Sequence, residues 1–205
     1  SEESYSSIHL VELHKCLADV IYFKNNYIKI KTINGEVFTV NDDKNKLQDK
    51  MLKGIDSHSK VKITSDRQTR KSYAGSIYAL WLFNFHLDKN ICIAADKTIY
   101  CKHHISNITD MYNSMPNWMK AKSKNLKTSM TSENGSKIFI AQANEREFRG
   151  ITLDMLIIEN VATINTDKLR ECLDSVICTM MYNEDYKIIV LEENSAISPD
   201  FYEVN

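Results

Sequence analysis

The run Val61-Lys62-Ile63-Thr64-Ser65-Asp66-Arg67-Gln68-Thr69-Arg70-Lys71-Ser72 decides how the rest of this chain is read. An apolar segment predicts a strand over 61–65. A polar loop follows, and Lys71-Ser72 open a helical pattern over 72–87. Strand, loop, Lys-Ser and helix in that order are the parts of a phosphate-binding loop. There, backbone N–H groups at a helix start and a lysine hold a phosphate chain. One part is replaced. The residue before the lysine is normally glycine, because the backbone must pass close to phosphate in a conformation poor for side chains. Here it is Arg70. An arginine there can reach outward to an anion or sit in the phosphate site itself; a crowded, weakened site is the favoured reading.

Working outward, alternating strands and helices continue to the end. A strand is predicted over Asn90–Ala95 and a helix near 97–114, stopped by Pro116. A hairpin follows, from Leu126–Ser132 through Glu133-Asn134-Gly135-Ser136 to Lys137–Ala141. The apolar strand Asp154–Glu159 ends in a carboxylate. A helix over Asp167–Met181 leads to a last buried strand, Tyr186–Leu191. Apolar strands separated by helices predict an α/β fold, a mostly parallel sheet with helices on both faces.

Before residue 59 the pattern differs. Leu10, Val11, Leu13, Leu17, Val20 and Ile21 make a helical stripe within Ile8–Phe23. Tyr27–Ile33 and Glu36–Val40 alternate around Asn34-Gly35, a hairpin signal. Asp42 or Asp43 caps a helix reaching about Asp56. Residues 1–58 therefore read as an N-terminal extension packed on a core of 59–205, within one domain.

Bulk composition narrows the function classes. A formal net charge of -1 means that any nucleic-acid contact must come from a local patch. Only five Gly and two Pro argue against disordered or linker-rich classes. The apolar runs are too short to span a bilayer, and Ser1–Ser7 carry no secretory pattern. Cys16, Cys92, Cys101, Cys172 and Cys178 are odd in number and scattered, which points to a reducing compartment. Cys101 with His103-His104 is the nearest approach to a ligand cluster and reads as an exposed helix turn. The lysines at 120, 122, 124 and 127 read as a solvated loop rather than a DNA contact. Trp81, Phe83 and Phe85 alternate along a helix, so some aromatic surface is expected outside the core. Tyr182 and Tyr186 read as packing residues.

The chemistry is carried by three positions. In phosphate-loop proteins a lysine holds phosphates, while a Ser/Thr hydroxyl and a strand-end acid hold Mg²⁺. Lys71, Ser72 and Glu159 supply these groups in that order, the acid about ninety residues after the loop.

Further stretches carry a resemblance: Tyr22-Phe23-Lys24-Asn25-Asn26-Tyr27-Ile28-Lys29-Ile30, Gln48, Arg67–Ser72, Met115-Pro116-Asn117-Trp118, Asn134-Gly135-Ser136-Lys137-Ile138, Arg149-Gly150 and Phe201-Tyr202-Glu203-Val204. Together they make the chain resemble the ATPase domain of the large terminase subunit of tailed bacteriophages, a P-loop motor that drives DNA into procapsids. The resemblance implies ATP and Mg²⁺ as cofactors. Gln48 would contact adenine. Arg67, Gln68, Thr69, Arg70, Lys71 and Ser72 would form the Walker A loop, with Arg67 near the γ-phosphate. Ser72 and Glu159 would hold Mg²⁺, and Arg149 would be a structural or switch arginine, or simply a salt-bridge partner.

It also implies double-stranded DNA, a portal and a small terminase subunit as partners. A homo-oligomer on a procapsid would follow, with no membrane and a place in the cytoplasm of an infected bacterium. The family's nuclease domain is expected to be absent. The chain departs from the family at chemical positions. Asn160 stands where a glutamate activates water, and a general base is worth about 10²–10⁴-fold. Leu191–Ala196 lacks the threonine-rich coupling motif. With Arg70, these departures imply weak or lost hydrolysis. The alternative is a non-enzymatic pseudo-ATPase module that docks on a motor subunit, portal or DNA. An unrelated P-loop protein such as a helicase fragment is a third reading.

Overall fold

A computed structural model describes residues 6–31, 37–38, 43–64, 71–159, 161–192 and 200–204. The chain begins with α1 (Ser7–Ala18) and α2 (Val20–Tyr27), not the single helix expected over Ile8–Phe23. Asp19 divides them. Its backbone is extended (φ -147°), and its carboxylate accepts from the N–H groups of Ile21 and Tyr22, so it ends one helix and caps the next. The expected strand from Tyr27 starts later, because α2 runs through that residue; among the described residues β1 is Ile30–Lys31, pairing antiparallel with β2 (Val37–Phe38). The Asn34-Gly35 turn lies outside the described residues. The helix expected to reach about Asp56 is α3 (Asp43–Ser57); its cap lies outside the described residues.

The core alternates as predicted. β3 (Lys60–Thr64) precedes α4 (Lys71–Phe85) and β4 (Asn90–Ala95) precedes α5 (Lys102–Ser114), the latter entered through a 3₁₀ turn at Thr98–Cys101. β5 (Ser123–Asn125), β6 (Ser129–Ser132) and β7 (Lys137–Gln142) follow, then the short α6 (Glu145–Phe148). β8 (Met155–Ile158), α7 (Thr166–Met180), β9 (Lys187–Glu192) and β10 (Tyr202–Val204) complete the order. Eight of these strands form one sheet, β10-β3-β9-β8-β4-β7-β6-β5. It is parallel from β10 to β7 and antiparallel in the last two pairings.

Residues alternate between the two faces of each central strand. Met155, Ile157, Ile189 and Leu191 enter the larger core, with α1 to α5. Leu156, Ile158, Ile188 and Val190 enter a second core under α7, which buries Leu169, Cys172, Leu173, Val176 and Met180. The sheet thus has helices on both faces, as the sequence pattern requires.

α4 runs through the larger core and is buried all round, the behaviour of a helix that is apolar on every side. This overturns the expectation of exposed aromatics. Trp81 and Phe83 are buried, and Phe85 packs edge-on against Phe23. Other helices cover the face that the sheet does not, and Trp81 donates its indole N–H to the Cys16 carbonyl at 2.7 Å. Gly75 lets α4 approach β8 closely: a Cβ there would sit 3.3 Å from Ile157 Cδ1.

Two further expectations change. The lysine stretch is not all loop, since Lys124 lies in the edge strand β5. There an exposed lysine discourages pairing with another sheet. Tyr182 is 93% exposed and packs nothing, whereas Tyr186 packs on the second core. No described helix is long and apolar enough to cross a membrane.

Candidate functional site

The site lies at the carboxyl ends of the parallel strands, where β3 gives way to α4. Lys71 is the first residue of α4 and is 8% exposed; its Nζ donates to the Glu192 carbonyl at the end of β9, 2.9 Å away. Ser72 donates to Glu159 Oε2 at 3.4 Å. β9 lies between β3 and β8, so the start of α4 reaches over one intervening strand to the acid that follows β8. Alternation explains the aim of that acid: Ile158 faces the α7 side, so Glu159 turns toward α4 and α5. The expected trio of Lys71, Ser72 and Glu159 is therefore brought together. The expected roles of Arg67, Gln68, Thr69, Arg70 and Asn160 fall outside the described residues, as do residues 193–199 of the coupling stretch.

Glu159 has a second set of neighbours that sequence reasoning missed. His104 is fully buried, with Nε2 2.7 Å from Glu159 Oε2 and Nδ1 2.7 Å from Ser76 Oγ on α4. His103, half exposed, brings its Nε2 within 4.0 Å of the same carboxylate oxygen. The expectation of an exposed helix turn is thus wrong for His104. The signal was available: His104 and Ile105 precede Ile108, Met111 and Tyr112 at helical spacing, which places His104 on the apolar stripe of α5. Cys101, also buried, is replaced in the cluster by Glu159.

The electrostatics follow from these contacts. Burial pushes the Glu159 carboxyl up, but the His104 hydrogen bond and the positive charge of His104, His103 and Lys71 outweigh it. The carboxyl is held below its usual range. Burial and repulsion from His104 hold His103 below the ordinary imidazole value, against the pull of Glu159. A carboxylate with two imidazoles beside it is a poor match for Mg²⁺, which demands near-octahedral oxygen ligands. The oxygen that faces Ser72 is the one His104 already engages.

Three buried side chains carry polar atoms with no hydrogen-bond partner among the described residues: Gln48, Glu192 and, at Nδ1, His86. The Gln48 amide on α3 is fully buried with both its oxygen and its nitrogen unmatched. Glu192, 1% exposed, leaves both carboxylate oxygens unmatched, although its carbonyl serves Lys71. Such groups cost about 1–3 kcal/mol each when nothing satisfies them. Arg149 makes an exposed salt bridge to Glu145 at 2.6 Å, one turn back. A surface cavity of about 480 Å³, lined by Lys46, Lys50, Lys53, His58 and Tyr202, opens at the other end of the sheet, by the start of β3. Neither Lys71 nor Glu159 lines it.

No protein-family model and no curated protein matches the chain. Solved structures do. The HK97 bacteriophage large terminase superposes with a TM-score of 0.64 over 88% of this chain and 38% of its own, at 10% identity. The large terminase of a thermophilic bacteriophage, in complex with ADP, gives 0.54 over 73% of this chain and 38% of its own, at 15% identity. The ATPase domain of the Thermus phage P74-26 large terminase, as a mutant with one arginine replaced by alanine, gives 0.53 over 73% of this chain and 66% of its own, at 13% identity. The chain thus spans well under half of the first two proteins. The likeness is one of fold: the chain has the mostly parallel α/β fold seen in large terminase ATPase domains.

Proposed function

We propose that this chain is the ATPase-type domain of a viral DNA-packaging motor, with hydrolysis weakened or lost. The observation that carries the reading is the meeting of Lys71, Ser72 and Glu159 at the carboxyl end of a terminase-like sheet. A nucleotide would be held by Lys71 at its phosphates, with Arg67–Arg70 closing around them. The complexed neighbour, which holds ADP, supports a nucleotide as the ligand. The unmatched Gln48 amide offers a donor and an acceptor side by side, which suits the N6/N7 edge of adenine. The chemistry that ATP supplies is a phosphoanhydride open to attack by water.

This chain's own residues do little to activate that water. Asn160 has no basic lone pair to take a proton, and Arg70 replaces the glycine that lets backbone reach phosphate. Lys71 is engaged by a backbone carbonyl and must exchange that bond for phosphate. The donor set around Glu159 does not fit Mg²⁺, so no step is assigned to that ion. In this reading residues 1–58 form an extension on a core of 59–205. Double-stranded DNA, a portal and a small subunit are the partners, in a bacterial cytoplasm.

The test is to measure nucleotide binding and phosphate release on the wild type and on the double variant Arg70→Gly, Asn160→Glu. Weak binding and negligible turnover in the wild type are expected, with both rising in the variant. Robust wild-type turnover overturns the loss of hydrolysis. Absence of nucleotide binding in both proteins overturns the ATPase reading and leaves a docking module.

A further inference from the structure

The two histidines at the start of α5 have no part in the function proposed above. We infer that His103, His104 and Glu159 form a site for a divalent transition-metal ion of the zinc class, at the acid end of the phosphate cradle. Two imidazole nitrogens and one carboxylate oxygen are a donor set that such ions prefer and that Mg²⁺ does not. The three ligand atoms lie within 4.8 Å of one another. Nε2 of His104 is 2.7 Å and Nε2 of His103 4.0 Å from Glu159 Oε2. Ligand atoms around a tetrahedral zinc are about 3.3 Å apart, given bonds of about 2.0–2.2 Å. These two separations bracket that spacing, and the third, between the imidazoles, is at most 4.8 Å, so the rings need to draw together by no more than about 1.5 Å.

The surroundings are those of a metal site. Ser76 Oγ holds Nδ1 of His104 and so aims Nε2 at the carboxylate, as an outer partner orients a metal-bound imidazole. Its hydroxyl serves either tautomer. A metal on Nε2 requires the ring's remaining proton to sit on Nδ1, where Ser76 Oγ accepts it; a second proton on the ring is released to solvent. His104 is sealed in the core, while His103 is half exposed, so an ion can enter from solvent on that side. Ser72 Oγ lies 3.4 Å from the shared oxygen. Only the site's service to a nucleotide rests on the proposed function; the ligand set stands on its own geometry.

The experiment is a titration of the untagged chain with Co²⁺, followed by visible absorption, with Zn²⁺ and Mg²⁺ as competitors. One Co²⁺ per chain is expected, with the visible bands of a four-coordinate ion. Zn²⁺ should displace it and Mg²⁺ should not. His103→Ala, at a half-exposed position, should weaken binding by at least about tenfold, the lower end of what even an outer partner contributes. Its circular dichroism melt should match the wild type. Glu159→Gln should weaken binding as well. Absence of bands at saturating Co²⁺, or bands unchanged in both variants, overturns the site. Binding of a fluorescent ADP analogue is measured separately. Cobalt bands with no ADP binding to either the wild type or the Arg70→Gly, Asn160→Glu variant keep the metal site and overturn the nucleotide reading; ADP binding without bands does the reverse.

Discussion

Strand β8 is flanked by a carboxylate at each end, and the two are nearly equally buried, with side chains 20% and 13% exposed. Asp154, at the amino end, is fully occupied by structure. Its oxygens accept from the Asn90 N–H at 2.7 Å, from Asn183 Nδ2 at 2.8 Å and from Lys89 Nζ at 3.4 Å. Those donors sit at the start of β4 and in the turn between α7 and β9, so the aspartate ties β8 to β4 and to the entry of β9. Glu159, at the carboxyl end, collects a hydroxyl and two imidazoles, groups that also bind ligands. Beside it lie a lysine and a glutamate whose carboxylate is buried and unmatched. The comparison teaches that burial alone does not single out a candidate functional acid. What marks it is the kind of donor around it and the unsatisfied groups next to it.

The two ends should respond differently to change. The largest effect is expected from Arg70→Gly with Asn160→Glu at the Glu159 end. Restoring a general base should raise single-turnover phosphate release by about 10²–10⁴-fold. Equal rates in variant and wild type would break the contrast. Lys71→Met should weaken nucleotide binding about 10–100-fold, the worth of a hydrogen bond to a charged group.

At the other end the signs exchange. Asp154→Ala should lower the free energy of unfolding by about 2–3 kcal/mol, measured with urea, and leave nucleotide affinity unchanged. A smaller loss is expected for Gly135→Ala, in the β6–β7 turn at that same end. Gly135 has φ +86°, a conformation that costs a side chain about 1–2 kcal/mol. The smallest effect concerns pH. His86 is held below its ordinary value of 6.5 by burial and by the charge of Lys89. A depressed pKa favours the neutral ring in the fold. Its stabilisation is therefore complete above pH 6.5 and is lost as pH falls through the folded value. Urea midpoints should drop on acidification below 6.5, and less so in His86→Gln.

Much of the fold was legible because burial leaves periodic traces. Val61–Thr64, Asn90–Ala95 and Tyr186–Leu191 carry the apolar runs of central strands, and they were found almost to the residue. Asn134-Gly135 marked the hairpin correctly. Its further task is non-local: Asn134 Nδ2 donates to the carbonyls of Phe83 and His86, capping α4 some fifty residues back. The break at Asp19 was missed because the apolar stripe continues across it. The stripe itself misled in part, since Ile8, Leu10 and Val11 of α1 are more than half exposed. The all-round burial of α4 was missed because a helix in the middle of a core obeys no single face.

The linear order of residues was enough to establish an alternating α/β sheet, a Lys-Ser helix start and an acid at the end of a buried strand. Each is a local event, written in neighbours a few positions apart. It also placed Arg70 and Asn160 where glycine and glutamate were expected. Packing alone decided that His104 meets Glu159 and Ser76, and that Glu192 lends its carbonyl to Lys71. Those contacts join α4, α5, β8 and β9 across 28 to 121 positions of chain. Chain closure over such distances is set by how the sheet orders its strands, which no short stretch of residues encodes.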